Sequence, residues 1–262
     1  MKRGIRPEKE WFYDDDFWEQ YAPVMFDDRR MNEIPRVADG ITRLACPDLY
    51  REGAVSPPRV LDLCCGFGRI TLELARRGFS AVGVDITGAY LETARSDAAY
   101  ENLDIEFVRS DVRSFRRPGA FDLAINLYIS FGYFDNPEDD RLTAQNALDS
   151  LKDGGAFVIE TLGKEIAVRD FTGAEWFERV GFMVLTEYAP LDSWSLLRNR
   201  WILIDKKDGR RMEKTFTQRL YAASELRRLL FDAGFSGVEL YGDWEGSPYD
   251  HRAEALIAVG RK

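Results

Sequence analysis

"RVLDLCCGFGRI", residues Arg59 to Ile70, sets two adjacent cysteines against a Gly-Phe-Gly. Its first half is the short β-branched run of a buried strand, and its second half passes into the helical pattern "RITLELARRG". On that helix Ile70, Leu74 and Ala75 share one face, and Gly78 ends it. A strand that turns through glycines into a helix opens a βαβ unit. Three chemistries fit such a turn. The thiols could do metal or redox work, the glycines could cradle a phosphate, or the glycines could receive another ligand while the cysteines pack.

The same rhythm continues outward. "SAVGVD" reads as a strand, "GAYLETARSDAAY" as a helix, and "DIEFVRSD" and "FDLAINLY" as two more strands. In "NPEDDRLTAQNALDSLKDGG" Asn136 can cap a helix, Pro137 suits its first position and acids fill its first turn. Ala144, Ala147, Leu148 and Leu151 form its buried stripe, and Gly154 or Gly155 is predicted to stop it. "AFVIETL" supplies a fifth strand. Such alternation implies right-handed crossovers and a mostly parallel sheet.

Beyond residue 162 the pattern changes to aromatic and β-branched segments, "GFMVLTEY", "LLRNRWILID" and "EKTFTQRLY". Asp208-Gly209 in "KKDGRR" marks a hairpin turn between the last two. "SELRRLLFDAGF" restores a helix, with Leu226, Leu229, Leu230 and Ala233 inward, and "GVELYGDW" and "EALIAVGRK" close the chain as a hairpin. Ahead of the core stand the aromatic stretch "EWFYDDDFWEQYAPVMF" and a helix carrying Val37, Ile41, Leu44 and Ala45 on one face. The expected organisation is an α/β core over 51–162 and 223–262, an antiparallel β insertion over 163–222, and an aromatic, helical lid over 1–50.

Bulk properties narrow the function classes. The net charge of -9 carries no long basic block, which argues against a protein that grips nucleic acid through its phosphates. Three cysteines, Cys46, Cys64 and Cys65, give no disulfide framework and suggest a reducing, cytoplasmic setting. The basic N-terminus leads into no apolar run, and no stretch approaches the roughly 20 apolar residues of a membrane span.

The ligand of the glycine turn is decided by the acids around it. A dinucleotide fingerprint needs a third glycine where Thr71 stands, and a triphosphate loop needs a Lys-Ser/Thr pair that is missing. Asp62 beside the turn repels phosphate and favours a cation. Asp85 ends the second strand, where a carboxylate can accept both hydroxyls of a ribose. Asp111 follows the third, where it could accept from the exocyclic amine of adenine, with the Val112 amide close by. A nucleoside whose far end is positively charged satisfies all three acids, and S-adenosylmethionine is such a molecule.

"VLDLCCGFGRITLELARRGFSAVGVDIT", "EFVRSDVRSF", "FDLAINLYISFGYF" and "LKDGGAFVIETL" resemble, in order and at family spacing, the motifs of class I S-adenosylmethionine-dependent methyltransferases. The likeness spans 59–162 and resumes from residue 224. It implies a Rossmann-like sheet of seven strands, the last antiparallel. The nearer resemblance is to small-molecule members such as the bacterial aminosugar N,N-dimethyltransferases. They share an aromatic N-terminal cover, a segment like "YISFGYF" and an antiparallel insertion. That likeness assigns Tyr21 to the carboxylate end of the cofactor, Tyr13 to the active site, and Arg29 to the same series. The cofactor-binding set is then Tyr21, Asp62, Gly66, Gly68, Asp85, Ile86, Asp111, Val112 and Asn126, the last at the end of the fourth strand.

Consecutive cysteines on a strand point to opposite faces, and no second Cys or His pair completes a zinc site, so Cys64 and Cys65 are read as packing and no metal is expected. His251, the one histidine, and Tyr13 are the weak catalytic candidates, His251 because an imidazole could take an amine proton. The expected activity is methyl transfer to a small-molecule acceptor, an amine nitrogen ahead of a hydroxyl, without nucleic-acid or membrane partners. Two alternatives stay open: a module that binds the cofactor without turnover, and a nucleic-acid methyltransferase. "NLYI" lacks the Asn-Pro-Pro-aromatic pattern of the latter. Monomer and homodimer are both compatible with the sequence.

Overall fold

The computed structural model describes residues 10–45 and 56–262; Cys46 falls outside them. Two helices come first, α1 (Asp15–Met25) and α2 (Asp28–Ala45). The core then alternates β1 (Arg59–Leu63), α3 (Arg69–Arg76), β2 (Ser80–Asp85), α4 (Gly88–Tyr100), β3 (Ile105–Arg109), β4 (Phe121–Asn126), α5 (Pro137–Ser150) and β5 (Leu151–Thr161). A short α6 (Lys164–Arg169) leads into β6 (Ala174–Arg179), β7 (Phe182–Leu191), β8 (Leu196–Asp205) and β9 (Arg211–Arg219). The chain returns through α7 (Ala223–Ala233), β10 (Gly237–Tyr241) and β11 (Leu256–Arg261).

Seven strands form one sheet in the order β10-β11-β5-β4-β1-β2-β3, and β6 to β9 form a separate antiparallel sheet. β1 to β5 run parallel, while β11 is antiparallel to both β5 and β10. This is the expected Rossmann-like architecture of a class I methyltransferase. Alternation fixes the layers: Leu61 and Leu63 of β1 pack with α5 and α7, while Val60 packs with α2 and α3. Val37, Ile41, Leu44 and Ala45 all lie buried in that second layer. At about 25 cal/mol per Å² of apolar surface, these two layers supply the main drive for folding.

One local expectation needs correction. The helix capped by Asn136, whose side chain accepts from the Glu138 amide, ends at Ser150 rather than at Gly154. Its last carbonyls are taken by the amides of Gly119 and Ala120, on Asp149 and Ser150, and this releases Leu151 to start β5. A long-range contact therefore overrides the local periodicity. The insertion holds four strands, and one of them, β6, "AEWFER", is a mostly exposed edge strand whose residues lack the alternation that would announce it in the sequence.

Candidate functional site

A cavity of about 500 Å³ lies beyond the carboxyl ends of β1 to β4. Its other walls are the N-terminal cover and one face of the four-stranded sheet. That is the crevice where ligands sit in open parallel sheets, and its size suits a small molecule.

The glycine turn builds the first wall. β1 stops at Leu63, and Cys64, Gly66 and Gly68 all take left-handed φ, at 61°, 56° and 69°. Gly68 has a second reason to lack a side chain, because a Cβ there would meet the Phe107 ring at 2.9 Å and the Ala94 Cβ at 3.2 Å. Both cysteines line the cavity, past the end of the strand they were expected to pack on. Cys64 packs toward the α5 layer and Cys65 toward α4. Burial and the nearby Asp85 push both thiols well above their ordinary pKa, so neither is a thiolate at neutral pH.

Asp85 is buried and braces the turn. Its Oδ2 accepts from the Gly66 amide and its Oδ1 from the Thr87 amide, each at 2.8 Å. The Thr87 side chain and the Ile86 amide also lie within reach of this carboxylate. Asp62, also buried, accepts from Thr71 Oγ1 at 2.6 Å. The residue that breaks the dinucleotide pattern therefore positions Asp62. Desolvation raises the Asp62 pKa to about 7, against the opposing pull of the Thr71 hydroxyl, and Asp85 adds to the rise.

The other sequence candidates divide. Ile86, Asp111 and Val112 line the cavity with Asp62, Gly66 and Asp85. Asp111, however, spends its carboxylate within the protein. Oδ2 accepts from Tyr13 Oη at 2.6 Å and from Arg113 Nη2 at 2.7 Å, and Oδ1 accepts from the Arg113 amide at 2.8 Å. Arg113 also reaches Glu10 and Asp139, which ties the cover to the core. Asp111 thus serves as a latch, and its expected bond to an adenine amine has no free oxygen. Asn126 lies just beneath the cavity without lining it; its Nδ2 donates to the Leu63 carbonyl.

Tyr21 does not reach the cavity. It is buried among Phe17, Val24 and Leu203, and its hydroxyl donates to the Trp201 carbonyl. Tyr13 is outside the lining as well, held at the latch. His251 is exposed on a loop away from the cavity, where its carbonyl accepts from Arg169. Arg29 is solvent-exposed and paired with Glu33. None of these four residues lines the cavity.

Sequence reasoning missed the residue next to each of two such positions. Arg30, not Arg29, lines the cavity. Arg69, directly after Gly68, is clamped between Phe26 and Tyr128, with its guanidinium 4.5 and 4.8 Å from the two ring centres. Its Nη1 is buried without a hydrogen bond, as is the Tyr128 hydroxyl. Tyr128 and Ile129 both have positive φ, a strain of order 1–3 kcal/mol each that is concentrated at functional sites. Glu160 holds this turn by accepting from the Tyr128 amide at 2.6 Å. Aromatic rings close the roof: Trp11 stacks on Phe216 at 4.5 Å and meets Tyr133 at 4.8 Å, and Tyr90 donates to the Trp18 carbonyl.

Comparison with known proteins agrees with this geometry. Residues 60–155 match the model of a methyltransferase domain. The chain is 23% identical over 240 residues to a putative methyltransferase of Geobacillus sp. strain WCH70, covering 90% of this chain and 96% of that one. It is 25% identical over 209 residues to a glycine/sarcosine N-methyltransferase of Aphanothece halophytica, covering 78% and 76%. The fold matches the structure of an amino pentose methyltransferase from Micromonospora echinaspora with a TM-score of 0.68 at 20% identity, over 93% of this chain and 96% of that one. Among the described residues no helix is long and apolar enough to cross a membrane.

Proposed function

We propose that this chain, a class I S-adenosylmethionine-dependent methyltransferase, methylates an amine nitrogen of a small molecule. The observation that carries the reading is the cavity itself. It has carboxylates at Asp62 and Asp85 on one side, the Arg69 guanidinium on another, and beyond them a chamber walled largely by aromatic side chains with Glu175 and Arg179 of β6 at its edge.

The residues present fit the cofactor. Asp85, at the end of β2 and lining the cavity, would take the ribose hydroxyls, and the bare backbone at Gly66 lets the ligand approach closely. Asp62 takes the ammonium group. Arg69 and Arg30 take the carboxylate, which gives the orphaned Nη1 its missing acceptor. When bound, the cofactor supplies a methyl group already activated by a sulfonium.

What remains for the protein is alignment and exclusion of water. Trp11, Trp18 and Tyr133 cover the reaction space, and the Asp111–Arg113 latch holds the cover down. Holding donor and acceptor in line contributes much of the barrier reduction in such a displacement. The Tyr133 phenol is kept protonated, its pKa pushed far up by burial and by Cys64 and Asp85, so it is no general base. An amine that enters neutral needs none. Relatives named as glycine/sarcosine N-methyltransferases lend the nitrogen reading support, beside others named as O-methyltransferases.

The test is transfer of a labelled methyl group from S-adenosylmethionine into matched amines, alcohols and phenols. Label in the amines is the expected result. Label confined to hydroxyl oxygen overturns the nitrogen reading, and tight binding of S-adenosylhomocysteine with no transfer to any acceptor favours a binding module.

A further inference from the structure

Asp140, in the first turn of α5, is a carboxylate buried completely, at 0% exposure, and it lies outside the cavity. Its Oδ2 accepts from the Tyr221 hydroxyl at 2.7 Å and its Oδ1 from the Gly132 amide at 3.2 Å. Arg219 stands farther off, with a buried Nε that makes no hydrogen bond 3.9 Å from Oδ2. Burial raises the Asp140 pKa to about 6, against the pull of the Tyr221 hydroxyl and of Arg219, so at neutral pH it is still an anion that accepts both bonds. A buried charge is a costly way to join segments, since apolar side chains of similar volume often give equal or greater stability. What a carboxylate supplies instead is direction.

Its two partners belong to different walls of the cavity. Gly132 lies in the loop after β4, next to Tyr133, which lines the cavity. Tyr221 follows β9, whose Phe216 lines it from the four-stranded sheet. The loop and β9 also meet directly. The Arg219 amide donates to the Gly132 carbonyl at 2.7 Å, and Gln218 Nε2 donates to the Ile129 carbonyl at 3.0 Å. The approach is so close that a Cβ on Gly132, whose φ is 100°, would meet the Arg219 carbonyl oxygen at 2.6 Å. Across this seam Tyr133 and Phe216 hold the cover's Trp11 between them, 4.8 Å from one ring centre and 4.5 Å from the other.

We propose that Asp140 is a positioning residue for methyl transfer: by holding the Gly132 amide and the Tyr221 hydroxyl together, it sets the spacing of Tyr133 and Phe216 and so the seat of Trp11 over the acceptor. It touches neither donor nor acceptor. This rests on the methyltransferase reading above, whose acceptor chamber those three rings wall. The direct bonds of the seam tie the loop and β9 only to each other. Asp140 ties both to α5, which is fixed in the core through Ala144 and Ala147. Its two oxygens accept from two donors along set directions, so the rings are placed relative to the core that carries the cofactor turn. Placement matters on a fine scale, because a shift of about 1 Å at an aligning group can lower a rate about 100-fold.

The experiment labels the full chain with 5-fluorotryptophan and follows it by fluorine NMR. Of the six tryptophans, the resonances lost in Trp11→Phe and in Trp244→Phe identify those two, and Trp244, packed in the α2 layer, is the control for the fold. In Asp140→Leu the Trp11 resonance is expected to shift toward that of free 5-fluorotryptophan while Trp244 stays in place. Tyr221→Phe removes one bond of the two and should shift Trp11 less in the same direction, which keeps the test open if the leucine variant does not fold. Asp140→Asn keeps both links, its oxygen taking the Gly132 amide and its Nδ2 donating to the Tyr221 oxygen, so Trp11 should stay at the wild-type position. For the amine that takes label best, kcat should follow the same order, falling about tenfold or more in Asp140→Leu. The dissociation constant of S-adenosylhomocysteine should stay within about twofold. A Trp11 resonance that moves in neither Asp140→Leu nor Tyr221→Phe overturns the proposal. So does a joint shift of Trp11 and Trp244, which marks general loosening, an Asp140→Asn protein displaced as far as Asp140→Leu, or an unchanged kcat while Trp11 moves. If the wild-type protein neither binds S-adenosylhomocysteine nor transfers a methyl group, it is the methyltransferase reading that falls, and the fluorine shifts still decide what Asp140 holds.

Discussion

The glycine turn and the inner face of the four-stranded sheet are opposite walls of one cavity, and they treat their polar atoms in opposite ways. At the turn, Asp85 braces the Gly66 and Thr87 amides and Asp62 holds Thr71, so these acids are structural before any ligand arrives. On the sheet, the Asn199 and Gln218 oxygens accept no hydrogen bond among the described residues. A wall that binds one constant ligand can fuse binding with folding. A wall that discriminates among acceptors must hold its hydrogen-bonding capacity in reserve, and that reserve costs stability.

Substitutions should therefore separate the walls. Asp85→Ala strips two buried amides of their acceptor and removes the carboxylate proposed to hold the ribose. It should weaken S-adenosylmethionine binding by more than about 100-fold and lower unfolding free energy by about 2–4 kcal/mol, measured by calorimetry and urea denaturation. If affinity falls and stability does not, the wall is not braced as described. Gly68→Ala should cost about 1–3 kcal/mol through the Phe107 clash and the left-handed backbone, read as a lowered denaturation midpoint.

Asp62 offers a pH test. With its pKa raised to about 7, a proton must leave before the carboxylate can pair with an ammonium group. Cofactor affinity should thus fall as pH drops below 7, by up to about tenfold per pH unit, and Asp62→Asn should flatten this profile. In the free protein the sign is reversed. The folded chain keeps a proton that the unfolded chain loses near 3.8, so the stability from this group is full below that pH and is lost as pH rises through about 7.

The sheet side should answer more weakly. Thr186→Val replaces a buried hydroxyl that makes no hydrogen bond, and stability should stay level or rise by up to about 1 kcal/mol. A clear loss in thermal melts would show that this hydroxyl is already spent. On the outer face, Arg200→Gln should leave both melting and ligand binding within replicate scatter, because exposed ion pairs contribute little.

The turn was legible because its determinants are local. A strand end, two glycines and acids closing successive strands lie within short, periodic stretches, and parallel βαβ topology places their ends side by side. Asp62, Gly66, Gly68 and Asp85 could be named from the sequence for that reason. That logic does not reach Tyr21 and Arg29, positions taken from the resemblance, whose side chains turn to the Trp201 carbonyl and to Glu33. It failed at Asp111, whose partners Tyr13 and Arg113 come from the cover and from two residues on.

The amino-acid sequence by itself determined the class of sheet, the glycine turn after β1 and the existence of an antiparallel insertion, since hydrophobic period and turn chemistry are written over a few residues. Only the tertiary structure decided that Arg69 is buried between two rings with an unspent nitrogen. It alone turned Asp111 to the cover and set Asn199 beside Gln218 over the cavity. Those outcomes depend on which distant segments pack together and which face each strand presents, and no local pattern encodes either.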